Sequence, residues 1–137
     1  MGIYYHLLQQ IQPMILRYSN TFSFSEYKQA SINISLLDSQ PFLNVSLVDI
    51  VIKTHLVGVY NFHNIAAALA VGSFFNLTPQ QLKSGIEAYV PANNRSQIIQ
   101  QNSNQILLDA YNANPSSMEV ALENFKGTQN SNKLAID

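Results

Sequence analysis

The chain has 137 residues, which places it in the single-domain range and is enough to bury a modest core. Lys and Arg number 7 against 8 Asp and Glu, and charged residues are only 11%, so neither nucleic acid nor an anionic membrane surface is an expected partner. The absence of Cys excludes disulfide and thiolate chemistry. No apolar run approaches the ~20 residues of a membrane span, and the first eight residues lack the basic and apolar regions of a signal peptide, so a cytoplasmic location without membrane insertion is expected.

In chain order, apolar residues at 3, 4, 7, 8, 11, 14 and 15 predict a short amphipathic helix interrupted by Pro13. Residues 18–27, rich in Ser and aromatics, read as a loop. Residues 31–37 alternate with period two, and residues 42–52 do so less cleanly, with Asp38-Ser39-Gln40-Pro41 supplying the turn. An antiparallel pair follows, open to a third strand near His55. Residues 61–75 form an Ala-rich helix whose small residues at 66, 67, 68 and 70 suit close packing. Thr78 caps a helix starting at Pro79, with Leu82, Ile86 and Tyr89 on its apolar face. Residues 97–101 and 105–109 flank Asn102-Ser103-Asn104 as a hairpin. A last helix covers 115–125, with Met118, Ala121, Leu122 and Phe125 on one side and Gly127 just past its end. Residues 133–137 look like the opening strand of another α/β unit whose partner strands are not encoded here.

Chemistry concentrates in Leu107-Leu108-Asp109-Ala110-Tyr111-Asn112-Ala113-Asn114-Pro115-Ser116-Ser117-Met118. Ile106, Leu107 and Leu108 suit a buried strand. Asp109 stands at its carboxyl end, where open α/β sheets bind ligands, and Asn114 is placed to cap a helix whose first residue is Pro115. On pattern alone the same phrase reads first as a structural turn, since a strand, a turn and a capped helix recur throughout α/β domains. Upstream, Gly58-Val59-Tyr60-Asn61-Phe62-His63-Asn64-Ile65-Ala66-Ala67-Ala68 places two amides at a helix start, where they either begin the helix or meet a base edge that donates and accepts at once. Arg95 follows in a polar loop, as a solvated charge or as a planar fork for phosphate or ribose.

The 109–118 phrase closely resembles the Asp-x-Tyr-Asn-Ala-Asn-Pro-x-Ser-Met signature of the Mur ligases that add D-alanyl-D-alanine, and the 58–68 segment resembles the family's Gly-x-His-Asn-x-x-Asn-x-x-Ala-Ala motif. Tyr60 departs from the family's His, and His63 lies off the motif position, so it is expected as an exposed helix residue. The resemblance covers roughly residues 18–137. It implies an α/β fold: the C-terminal part of a central ATP-binding domain, a mixed sheet with packed helices, over 1–108, then a hinge and the first elements of a truncated Rossmann-like C-terminal domain over 109–137. It also implies that Asn61 and Asn64 lie beside the adenine of ATP, that Arg95 reaches the nucleotide, that Asp109 accepts from the ribose hydroxyls, and that Tyr111, Asn112 and Asn114 stand at the hinge beside the site.

The activity implied is ATP- and magnesium-dependent joining of D-alanyl-D-alanine to UDP-N-acetylmuramoyl-tripeptide through an acyl phosphate, in peptidoglycan precursor synthesis. No Gly-x-x-x-x-Gly-Lys-Ser/Thr occurs, the carboxylates are scattered, and His6, His55 and His63 have no nucleophile and base pattern around them, so no catalytic residue is assigned. The family's phosphate loop and Mg2+ ligands precede the matched region. A fragment of such a ligase is therefore expected, itself inactive; the alternatives are another amino-acid ligase of the superfamily or a non-catalytic nucleotide-binding module derived from one.

Overall fold

The computed structural model describes residues 17, 22–26, 30–92, 97–109, 114–128 and 132–135. Its elements are β1 (Phe24–Ser25), β2 (Ile32–Asp38), β3 (Asn44–Leu47), β4 (Ile50–Lys53), a 3-10 turn (Val59–Asn61), α1 (Phe62–Phe74), α2 (Pro79–Ala88), β5 (Gln97–Gln101), β6 (Asn104–Leu108) and α3 (Pro115–Gly127). Strands β1 to β4 form one mixed sheet in sequence order, β1 parallel to β2 and the rest antiparallel. β5 and β6 form a separate antiparallel hairpin.

Alternation in the strands builds one apolar sheet face. Ile34 pairs with Leu47, Leu36 with Val45, and Val45 with Ile52, while Ser35 and Ser46 pair in the intervening register. Helix α1 lies against that face with Phe62, Ile65, Ala66 and Leu69, a spacing of three, four and seven residues that puts them on one side of a helix. Ile34, Leu43, Val45, Ile52, Ala66 and Leu69 are all but sealed from solvent. Gly72 brings α2 close, since a Cβ there would run into the Leu82 side chain. Ala67 and Ala68, also expected to pack, instead face outward.

Polar side chains finish the sheet edge. The Lys83 ammonium of α2 donates to the Val51 carbonyl (2.6 Å), and Glu87 accepts from the Lys53 amide (2.9 Å), while the two side chains pair at 2.7 Å. The outward backbone groups of β4 are thus satisfied by a helix rather than left to another strand. The Lys53 amide, then Lys83, hold the Glu87 carboxyl below its ordinary 4.5.

Several elements depart from expectation. Residues 42–52 are two strands, because a tight turn at Val48 and Asp49 separates β3 from β4. Val48 has φ 55°, a left-handed conformation that a β-branched residue rarely takes, so no Gly or Asn marked the turn. The loop expected over 18–27 contains the two-residue β1. Gly127 is the last residue of α3, and Thr128 closes the helix by donating from Oγ1 to the Phe125 carbonyl (2.8 Å). Residues 133–135 are irregular where a strand was expected. The helix expected over 3–16 lies outside the described residues.

Ile52→Ala should cost about 2–5 kcal/mol of unfolding free energy by denaturant titration, because the cavity would open between sheet and α1. Glu87 has a lowered folded-state pKa, so its contribution is present above about 4.5 and disappears as pH falls through the lowered value. Glu87→Gln should therefore weaken the acid-induced drop in stability, read as melting temperature between about pH 6 and pH 2.

Candidate functional site

The turn into α1 starts at Gly58, whose φ of +87° is a conformation that L side chains rarely adopt. Its carbonyl accepts from the Asn61 amide (3.0 Å) to close the 3-10 turn. The Asn61 side chain is buried and donates from Nδ2 to the Val57 carbonyl (2.8 Å), and its Oδ1 accepts from Asn64 Nδ2 (3.0 Å). Asn61 thus braces the turn, whereas Asn64, exposed on the first turn of α1, carries an amide held in a fixed direction by its neighbour. His63 is exposed on α1, as expected.

Asp109 follows β6 directly and is partly buried. It accepts from the Tyr60 hydroxyl at Oδ2 (2.8 Å), a contact across 49 positions that brings the end of the hairpin to the turn before α1. Asp109 and the Asn61 to Asn64 helix start, expected from the resemblance to meet one nucleotide, are therefore joined through Tyr60, which adjoins Asn61 in the chain. Ile106, Leu107 and Leu108 are half-buried rather than buried, because the hairpin has no sheet around it.

Asn114 caps α3: its Oδ1 accepts from the Ser117 amide (3.0 Å) and the Ser116 hydroxyl (2.7 Å), and Ser117 Oγ in turn accepts from the Asn114 amide (3.1 Å). This reciprocal cap, with Pro115 in the first turn, matches the expected helix start. Arg95, Tyr111 and Asn112 lie outside the described residues. Sequence reasoning missed Tyr60 as a site residue, treating it only as a departure from a histidine; Gly58 two positions earlier was the available signal. Among the described residues no group of three or more His, Asp or Glu is placed to hold a metal ion, and no helix is long and apolar enough to cross a membrane.

No family model matches the chain. It is 33% identical over 69 residues to the UDP-N-acetylmuramoyl-tripeptide--D-alanyl-D-alanine ligase of Bacillus subtilis, and 38% identical over 71 residues to the enzyme of that name from Treponema pallidum; these matches cover 50% and 52% of the chain and 15% of each relative. It is also 30% identical over 95 residues to the MurT subunit of a lipid II isoglutaminyl synthase from Staphylococcus aureus, covering 69% of the chain and 22% of the relative. Among solved structures, the corresponding ligase of Acinetobacter baumannii aligns with a TM-score of 0.69 at 21% identity, over 88% of this chain and 28% of that one. The MurF ligase of Thermotoga maritima in complex with ADP aligns at 0.60 and 18% identity, over 86% and 28%.

These matches support a partial Mur ligase of the MurF type. The mixed sheet with its packed helices is that fold. The chain spans about 15% of the length of the first two relatives.

Asn61 and Asn64 should respond differently to truncation. Asn61→Ala leaves the buried Val57 carbonyl without its side-chain donor and should cost about 1–3 kcal/mol in thermal unfolding. Asn64→Ala removes only the donor to Asn61 Oδ1 from the exposed side and should cost less, about 0.5–1.5 kcal/mol.

Proposed function

We propose that the chain supplies the nucleoside side of an ATP-dependent MurF-type ligase, the enzyme class that joins D-alanyl-D-alanine to UDP-N-acetylmuramoyl-tripeptide. The observation that carries this reading is the Tyr60 to Asp109 contact, which sets a carboxylate next to the helix start bearing Asn61 and Asn64. A carboxylate accepts from two vicinal ribose hydroxyls, and an oriented amide matches the donor and acceptor of an adenine edge. The ADP named with the Thermotoga neighbour is the ligand such a site would take. Arg95 is assigned to the phosphate side, and Tyr111, Asn112 and Asn114 to the hinge beside the nucleotide, with the domain boundary at Asp109. A cytoplasmic location accords with nucleotide and UDP-linked substrates.

In the whole enzyme, the tripeptide carboxylate attacks the γ-phosphorus of ATP and releases ADP. The amine of D-alanyl-D-alanine then attacks the acyl phosphate, loses a proton and expels inorganic phosphate. Such chemistry depends on holding the transferring group and stabilising its charge. The 137 residues contain no phosphate-loop motif, and the described ones offer no metal cluster, so no step is assigned to Mg2+ here. The chain's own part is to bind and orient the nucleoside.

A second reading is favoured by the longer match to the Staphylococcus MurT subunit: a ligase of the same superfamily with a different amine substrate. The Tyr111-Asn112-Ala113-Asn114-Pro115 wording supports the first.

Calorimetric titration of ADP should show binding to the chain, weakened by about 1–3 kcal/mol in Asp109→Ala as charged hydrogen bonds are lost. An unchanged dissociation constant would remove Asp109 from the site. The chain alone should release no phosphate from ATP when both peptide substrates are present, and steady release above an Asp109→Ala control would show that it is a ligase by itself.

A further inference from the structure

We propose that Tyr60 is a positioning residue: its phenol clasps the β5–β6 hairpin to the turn ahead of α1 and aims the Asp109 carboxylate at a ribose diol, a role that rests on the nucleotide reading above. The hairpin needs such a clasp. None of its residues is fully buried, and Ile98, Ile99, Ile106, Leu107 and Leu108 are only partly covered, so apolar burial holds it weakly. Asp109 is the residue directly after β6, and fixing its Oδ2 against Tyr60 fixes the end of the strand.

The phenol is aimed by the backbone. A Cβ built on Gly58 would meet Cε1, Cζ and Cδ1 of the Tyr60 ring, the last two at 2.8 and 2.9 Å, so the ring lies on a bare Cα and any side chain at 58 would displace it. An aromatic ring held this way loses little further freedom when its hydroxyl bonds Asp109. A carboxylate has about four acceptor sites, so a phenol proton on one of them does not by itself prevent acceptance from a diol. Unlike an imidazole, a phenol keeps its single donor on both sides of neutral pH.

Tyr60→Phe tests the hydroxyl alone, since the ring stays to cover Gly58. Amide hydrogen exchange without nucleotide should accelerate on the order of tenfold at residues 98, 99, 106 and 107, with the α1 amides unchanged. In titrations, the wild-type preference for ADP over 2′,3′-dideoxy-ADP should shrink several-fold. Asp109→Asn provides the contrast: its carbonyl oxygen still accepts from the phenol, so exchange should stay near wild type while the ribose preference falls.

Unchanged hairpin exchange in Tyr60→Phe overturns the clasp whether or not nucleotide binds. Faster exchange with an undiminished ribose preference overturns the positioning role. A wild-type chain that binds neither nucleotide defeats the nucleotide reading and with it the aim at ribose, while the exchange data still decide the clasp.

Discussion

The burial of α1 on the β2–β3–β4 face is the constraint from which the site follows. Ile65 and Leu69 can sit against Ile34, Val45 and Ile52 only if the helix axis and rotation are fixed, and a close-packed core tolerates little slippage of either. Fixing the helix fixes its first turn. That turn carries Asn61 inward, where an unpaired amide would be costly, and Asn64 outward. The division between a bracing amide and a presented one is thus a result of core packing, although the two residues are the same type three positions apart.

Backbone economy at the ends of elements does the remaining positioning. Thr78 and Gln81 form a reciprocal cap on α2, Asn114 and Ser117 form one on α3, and Lys83 with Glu87 complete the free edge of β4. Each device satisfies backbone groups that the helix or sheet leaves open. For Asn114 the side-chain oxygen already serves two donors at the helix start, so it is held in place by the cap.

The sheet, α1 and α2 share one core, while no residue of the hairpin or of α3 is fully buried. These outer elements are tied in by polar contacts, Tyr60 to Asp109 and Gln40 Nε2 to the Gly127 carbonyl at 3.4 Å. Polar ties in partly solvated surroundings are individually weak, so these outer elements are held less firmly than the sheet and its two helices.

Local signals made much of this legible in the sequence. The caps at Thr78 and Asn114 were readable because a capping side chain acts within three residues, and β2, α1 and the hairpin were readable because their periodicity or turn residues are local. The Val48 turn was hidden, since a β-branched residue in a left-handed conformation carries no turn chemistry and is held there by strands that pair only in three dimensions. At the site, the sequence by itself determined which residue types were present and that Asp109 ends a strand. That Tyr60 rather than a histidine reaches Asp109, and that Asn61 turns inward while Asn64 faces out, was decided by tertiary structure alone. The physical reason is range: a hydrogen bond across 49 positions and the rotation of a helix on a sheet depend on the packing of the whole core, which no neighbouring residue encodes.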